Sequence, residues 1–288
     1  GSKFLRPIEY DENIGSAQVK SCLMLSALNT PGKTIINSKI SRNHTELMLK
    51  FLKYPIKVQI KKDIERISIQ GLSQFKAFDY NVPGDISSAA FFIVLTILTQ
   101  NSRMIIKNVN INKSRIGVIT ILNKMGGNIK LKKIKTYNGE KIADIYVKSK
   151  KNLKAVNCPS YLNSSAIDEF LIIFLAAAKA KGTSKFKDLG EMNKKESKRL
   201  DIAVKFLKLI GVKVKRFKND INIYGNPKLN LSGNFEMKNF LKDHRIFFLA
   251  CITALTLGGE WKINDKESIN TSLPNFLNIL KILGAKIN

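Results

Sequence analysis

The chain repeats itself four times. One half of the repeat is an apolar helix, a Gly- or Ser-containing turn and a short strand, found at Ser16–Ile36, Ser87–Val109, Ala166–Leu189 and Asp243–Asn264. The other half is a helix opened by Ser, Arg or Asn that runs into a Gly-hydrophobic-Lys-hydrophobic strand. Its copies are Ser41–Ile60, Ser114–Lys132, Ser197–Arg216 and Asn270–Asn288. With Ser16, Ser88, Ser165 and Asp243 as markers, successive copies lie 72, 77 and 78 residues apart. A period that long, with two helices in each copy, means duplicated α/β modules rather than a solenoid of short turns.

The two periodicities also fix the layering. Ala89–Thr99, Phe170–Ala180 and Ile246–Leu257 are apolar on every face, which places such helices inside a domain. The strands carry lysine at alternate positions, as in Ile129-Lys130-Leu131-Lys132 and Val212-Lys213-Val214-Lys215, so one sheet face is wet. The sequence therefore predicts an α/β fold turned inside out, with helices within and sheets without. A chain of 288 residues has room for about two domains. Pro83 and Gly84 break the preceding strand and Asp85 or Ser87 can cap the next helix, which sets domains at 1–82 and 83–288. The first then holds one repeat and the second nearly three. With Gly1-Ser2 in place of an initiator Met, this imbalance leads us to expect that the chain begins inside a larger protein.

The formal charge is +27, yet only eight of the 49 basic residues are Arg, and Lys, Ile and Asn are over-used throughout. That bias reads as a lysine-rich background with a field that attracts small anions, not as a nucleic-acid surface. Cys22, Cys158 and Cys251 are too far apart for a disulfide framework or a zinc site, and His44 and His244 are the only histidines. No apolar run exceeds twelve residues, against the ~20 needed to span a bilayer, and no signal peptide is visible. We expect a reduced, cytoplasmic monomer that binds neither nucleic acid nor membrane and needs no metal or cofactor.

Polar residues gather where helices begin, and free backbone N–H groups there favour anions. Ser16-Ala17-Gln18-Val19-Lys20 opens the first helix. It reads either as a Ser cap with an exposed Lys or as Ser16 and Gln18 donating to a phosphate or hydroxyl. Ser41-Arg42-Asn43-His44-Thr45-Glu46 opens the second, where capping explains Ser41, Asn43 and Glu46 but not Arg42. Asp168 and Glu169 stand at the mouth of an apolar helix. They are ordinary dipole partners or, partly desolvated, proton acceptors. Lys195-Glu196-Ser197-Lys198-Arg199 leads into another helix, with Glu196 and Arg199 spaced as an i,i+3 surface pair. Arg245 directly precedes Ile246-Phe247-Phe248-Leu249, where a buried guanidinium needs an anionic partner. No phosphate-binding Gly loop, nucleophile elbow or metal motif is present, so the inventory suits acid–base chemistry on small, multiply charged anions.

At these residues the chain resembles the 5-enolpyruvylshikimate-3-phosphate synthases, the 3-phosphoshikimate 1-carboxyvinyltransferase family. The resemblance is carried by Ser16–Ser21, Ser41–Glu46, Pro83–Ala89, Met125-Gly126-Gly127 and Ile167-Asp168-Glu169. It continues through Lys195-Glu196-Ser197 with Arg199, Asp243-His244-Arg245 and Ser272-Leu273-Pro274. It implies two inside-out, barrel-like lobes of repeated βαβαββ units, the first truncated, with residues 1–82 on the shikimate 3-phosphate side and 83–288 on the phosphoenolpyruvate side. It implies transfer of the enolpyruvyl group of phosphoenolpyruvate to the 5-hydroxyl of shikimate 3-phosphate, with release of phosphate. Ser16, Ala17, Gln18, Arg42, Asp168 and Lys195 would bind shikimate 3-phosphate. Gln18, Lys195, Arg199 and Arg245 would bind phosphoenolpyruvate, and Asp168, Glu196 and Lys195 would be catalytic.

The chain departs from the family pattern at Asn43, Tyr54-Pro55, Asn193 and Lys198, the last reversing a charge beside Arg199, and Thr271 assigns it to the branch without lysine there. The family's N-terminal Lys-Ser…Arg loop and Asn-Ala-Gly-Thr motif have no counterpart, so this piece alone is expected to be poorly active. A related transferase acting on UDP-N-acetylglucosamine and a non-catalytic basic protein that binds nucleic acid are the competing readings.

Overall fold

The computed structural model describes residues 4–238, 240 and 242–287, so Gly1-Ser2 and Asn288 of the expectations above lie outside it. The first copy of the repeat is a complete βαβαββ module. It runs β1 (Glu9–Glu12), α1 (Ala17–Leu28), β2 (Lys33–Lys39), α2 (His44–Phe51), β3 (Ile56–Lys61) and β4 (Ile64–Gln70). Its sheet has the order β1-β2-β4-β3, with β1 parallel to β2 and β4 antiparallel to both of its neighbours. Burial alternates along β2 and β4, so Ile36, Ile67 and Ile69 face inward and lysines face water.

The next two copies follow the same plan with the opening strand reduced to isolated bridges. In the second, Gly84 pairs in parallel with Val109, followed by α3 (Ile86–Leu98), β5 (Arg103–Asn110), α4 (Gly117–Lys124), β6 (Asn128–Tyr137) and β7 (Glu140–Lys148). In the third, Lys154 and Asn157 pair in parallel with Lys181 and Lys185. Around them run α5 (Asn163–Ala166), α6 (Phe170–Ala178), β8 (Gly182–Phe186), α7 (Arg199–Leu209), β9 (Val214–Phe217) and β10 (Asp220–Gly225). The sheet orders β5-β7-β6 and β8-β10-β9 reproduce that of β2-β4-β3. The fourth copy holds β11 (Leu231–Met237), α8 (His244–Leu257), β12 (Gly258–Ile263) parallel to β11, and α9 (Phe276–Ile282). The strand expected after Gly284 does not form within residues 285–287. None of the described strands pairs with that segment, and a strand without a ladder leaves its backbone groups unpaired. No described sheet closes on itself, so the expected barrel-like character resolves into open sheets laid over helices.

One stop signal recurs in all four copies. Lys53, Gly126, Gly211 and Gly284 all adopt positive φ just past a helix. The amide that follows each then reaches back to the carbonyl five residues earlier: Tyr54 to Leu49, Gly127 to Leu122, Val212 to Leu207 and Ala285 to Leu280, at 2.8–3.0 Å. This six-to-one closure satisfies carbonyls that a helix end leaves bare.

Two compact units result. One comprises Gly1–Pro83, Asn110–Ser114 and Ile134–Ile142; the other comprises Gly84–Val109, Arg115–Lys133 and Ala143–Asn288. The first is built on Met24, Leu49, Tyr54 and the inward isoleucines of β2 and β4. In the second, α3, α6 and α8 pack on one another, and every residue of α6 is buried. At roughly 1.5–3 kcal/mol for each large apolar side chain taken from water, these three helices dominate its stability. Among the described residues no single helix is long and apolar enough to cross a membrane.

Candidate active site

Three helix starts in the second unit bring the predicted residues together. Asp168 lies in the turn between α5 and α6, where the two helices bend sharply, rather than within a continuous helix from Ala166. Arg199 begins α7 and Asp243 caps α8 by accepting from the Arg245 amide at 3.0 Å. The Arg199 side chain is only 1% exposed and is surrounded by acids. Its Nε donates to Asp243 Oδ2 at 2.8 Å, Nη1 to Asp168 Oδ1 at 3.2 Å and Nη2 to Glu196 Oε2 at 2.5 Å. Ser197 Oγ adds a bond to Asp243 Oδ2 at 2.8 Å. Lys195 Nζ stands 3.6 Å from Asp168 Oδ1, and Arg245 Nη1 donates to the Asp168 carbonyl at 3.0 Å. Asp168, Lys195, Glu196, Arg199 and Arg245 thus form one cluster.

The electrostatics follow from this packing. Burial pulls the Arg199 guanidinium down, but the Asp243 bond and charge, then Glu196 and Asp168, more than offset it and raise its affinity for its proton. Burial likewise pushes the Asp243 carboxyl up, and Arg199, Ser197 and the Arg245 amide overcome this, leaving it below its usual value. The pairing expected between Glu196 and Arg199 is present, but only Glu196 faces water, its side chain being 59% exposed. The cluster therefore offers a solvent-facing carboxylate, a second carboxylate shared by two cations, and a half-buried guanidinium at a helix start. Such a set can hold anions and move protons.

The first unit carries the remaining candidates. Ser16 Oγ caps α1 by accepting from the Val19 amide at 3.3 Å, while Ala17 is half-buried and Gln18 is exposed in the first turn. Arg42 is half-buried just before α2. The alternative that leaves Lys20 exposed is incorrect. Its ammonium is fully buried, 2.7 Å from Glu46 Oε1 and 2.7 Å from Glu65 Oε2, because α1 turns that face onto β4. Glu46, the acid expected in the first turn of α2, is also a buried ion-pair partner. Ser21 and Thr45 bond at 2.8 Å, so the starts of α1 and α2 are tied together. Asn43 heads α2 without a capping bond and accepts instead from Asn112 at 2.8 Å. Asn112 and His44 both bond to Glu140. Burial raises the Glu140 carboxyl, but His44 and the neighbouring asparagines outweigh it and hold it below its usual value.

Some neighbours of these candidates have roles that the sequence does not mark locally. Asp243 belongs to a sequence motif, but nothing local marks it as the principal partner of Arg199, 44 residues earlier. Asn193, noted only as a departure, accepts from the Leu200 and Asp201 amides at 3.0 and 3.3 Å and so caps α7 from outside the helix. This explains why Lys198, which has no capping side-chain bond, is tolerated as the residue preceding α7. Arg115, one of the eight arginines, bonds Asp85 at 2.8 Å and Ser87 at 2.6 Å. Its rarity was the available signal.

Residues 2–280 match the family model described as EPSP synthase (3-phosphoshikimate 1-carboxyvinyltransferase). The chain is 37% identical over 283 residues to the 3-phosphoshikimate 1-carboxyvinyltransferase of Petrotoga mobilis, covering 98% of this chain and 64% of that protein. It is 39% identical over 281 residues to the enzyme of that name from Caldicellulosiruptor bescii, covering 97% and 64%. Among solved structures, EPSP synthase from Acinetobacter baumannii superposes with a TM-score of 0.87 at 33% identity, covering 97% of this chain and 63% of that one. The enolpyruvyl transferase NikO from Streptomyces tendae shares the fold at 13% identity, with a TM-score of 0.75 over 100% of this chain and 66% of its own. The chain thus spans just under two thirds of the length of these curated relatives. It belongs to the EPSP synthase family, the 3-phosphoshikimate 1-carboxyvinyltransferases.

Proposed function

We propose that the chain supplies the proton-transfer residues and substrate-binding groups for transfer of the enolpyruvyl group of phosphoenolpyruvate to the 5-hydroxyl of shikimate 3-phosphate. The observation that carries this reading is the convergence of Asp168, Lys195, Glu196, Arg199 and Arg245 on three helix starts of one unit. Asp168 holds the 5-hydroxyl and accepts its proton. Glu196, the exposed acid, delivers a proton to the phosphoenolpyruvate methylene, so that C2 becomes electrophilic and the 5-oxygen bonds to it. Glu196 then takes a proton back from the new methyl group as the C2–O bond to phosphate breaks, and inorganic phosphate leaves with the proton that Asp168 gives up. Proton delivery and removal by one carboxylate are consistent with an acid that is solvent-facing yet anchored on a buried guanidinium.

Lys195 touches both substrates, and Arg199 and Arg245 clamp the carboxylate and phosphate of phosphoenolpyruvate. Arg199 must exchange one of its three carboxylate partners to do so, and Glu196 is the one whose side chain already faces water. In the first unit, Ser16, the Ala17 backbone, Gln18 and Arg42 serve shikimate 3-phosphate, with Gln18 also reaching phosphoenolpyruvate. We assign residues 1–82 to the shikimate 3-phosphate lobe and 83–288 to the phosphoenolpyruvate lobe, with 110–114 and 134–142 of the latter stretch packing in the first compact unit. The enzyme works as a cytoplasmic monomer on free anions, with no nucleic acid or membrane partner. The scatter of its lysines over sheet faces supports the lack of a nucleic-acid partner. The test is phosphate release in a polypeptide of the relatives' full length that carries this sequence. Release that needs both phosphoenolpyruvate and shikimate 3-phosphate is expected. Release with UDP-N-acetylglucosamine instead, or steeply salt-dependent DNA binding without it, overturns the reading.

A further inference from the structure

The chemistry above leaves Glu169 unused, although it adjoins Asp168. Its side chain is 1% exposed. Oε1 accepts a hydrogen bond from Ser87 Oγ and lies 4.0 Å from Arg245 Nη1. Oε2 is equally buried and has no hydrogen-bond partner among the described residues, and neither does Arg245 Nε. The groups that face this carboxyl come from four elements. They are Arg245 at the start of α8, Ser87 in α3, Arg115 before α4 (itself bonded to Asp85 and Ser87), and Asp168 in its own turn. Arg245 is therefore its nearest cation, and a bare buried carboxylate oxygen is where a proton adds most readily.

We propose that Glu169 is a positioning residue for Arg245: its carboxylate is the counter-anion that aims the guanidinium, and when an anionic substrate group takes that guanidinium Glu169 accepts one proton from solvent. Two anions against one buried guanidinium repel each other at short range and low dielectric, so neutralising the one with a free oxygen removes the conflict. Burial already raises the Glu169 carboxyl, with Arg245, Ser87 and Arg115 only partly opposing, so proton uptake lies within reach. The inference rests on the reading of Arg245 as a phosphoenolpyruvate clamp, and the experiment separates the two.

Phosphoenolpyruvate is titrated into the chain by calorimetry near neutral pH, in two buffers of different protonation enthalpy, without shikimate 3-phosphate so that no turnover adds heat or protons. The comparison is between wild type, Glu169→Gln and Arg245→Ala, so protons exchanged by the ligand itself cancel. Wild type should take up a substantial fraction of a proton more than Glu169→Gln. Its affinity should fall as pH rises, by up to about tenfold per unit, where the Gln variant is flatter. A purely structural role would lower thermal stability and leave the proton count alone. Equal uptake by wild type and Glu169→Gln, with Arg245→Ala still impaired, overturns this inference alone. Loss of any difference between wild type and Arg245→Ala overturns the clamp and the inference with it. Should the Gln variant not fold, infrared difference spectra of the wild type decide. A protonated-carboxyl stretch that appears on adding phosphoenolpyruvate and survives Glu196→Gln and Asp168→Asn is expected, and its absence overturns the proposal.

Discussion

Each unit buries a cation completely, and the two are built differently. Lys20 in the first unit sits between Glu46 and Glu65, whose side chains are 3% and 5% exposed. Arg199 in the second has three carboxylates, ranging from Asp243 at 0% through Asp168 at 10% to Glu196 at 59%. The Lys20 cluster is closed on every side, so water and ligand are both shut out and the charges can only hold α1, α2 and β4 together. The Arg199 cluster is closed at one end and open at the other. Its inner acid fixes the guanidinium, while its outer acids can change partner or protonation state without exposing the core. Burial of a charge therefore does not distinguish the two clusters; the gradient of exposure among its partners does.

The contrast can be broken most directly at Lys20. Lys20→Met leaves two carboxylates buried without a cation and should cost about 3–5 kcal/mol of stability. Urea unfolding that shows a loss below about 1 kcal/mol would mean that the first cluster is not closed. Glu196→Gln should do the reverse. At the open end it should leave the unfolding midpoint nearly unchanged while turnover, in a polypeptide of the relatives' full length, falls by about 10²-fold or more. Unchanged turnover would remove Glu196 from the proton path. Arg245→Ala should weaken phosphoenolpyruvate binding by about tenfold or more and spare shikimate 3-phosphate, as calorimetry with each ligand can show. The smallest effect should come from Asn193→Ala, which strips the outside cap of α7 for about 1 kcal/mol of stability and a modest rise in the phosphoenolpyruvate Kd. A shift of neither would detach Asn193 from the positioning of Arg199.

How much of this was legible depended on whether the signal was local. The inside-out layering was readable because Phe170–Ala178 is apolar all round while neighbouring strands alternate with lysine. Arg245 stood out because a guanidinium beside Ile246-Phe247-Phe248 has to find an anion. Lys20 did not, because a lysine in a short helix reads the same whether it faces water or a carboxylate pair supplied from 26 and 45 residues away. Asn193 was unreadable as a cap because it stands five residues before Lys198, the usual capping position for α7. The strand expected after Gly284 is absent from residues 285–287, where no described strand lies alongside. Its pattern matches the other copies, but a strand exists only where another lies beside it.

The bend between α5 and α6 has a consequence of its own. It sends two successive acids to different partners, Asp168 to Arg199 at the start of α7 and Glu169 to the buried Ser87. Neighbours in the chain thereby take different hydrogen-bond partners, so their order is as strict as their chemistry. Inserting or deleting a single residue here would shift one acid into the other's place, seating a carboxylate of the wrong length there. This short corner should accept conservative replacement far more readily than any change in the count of its residues.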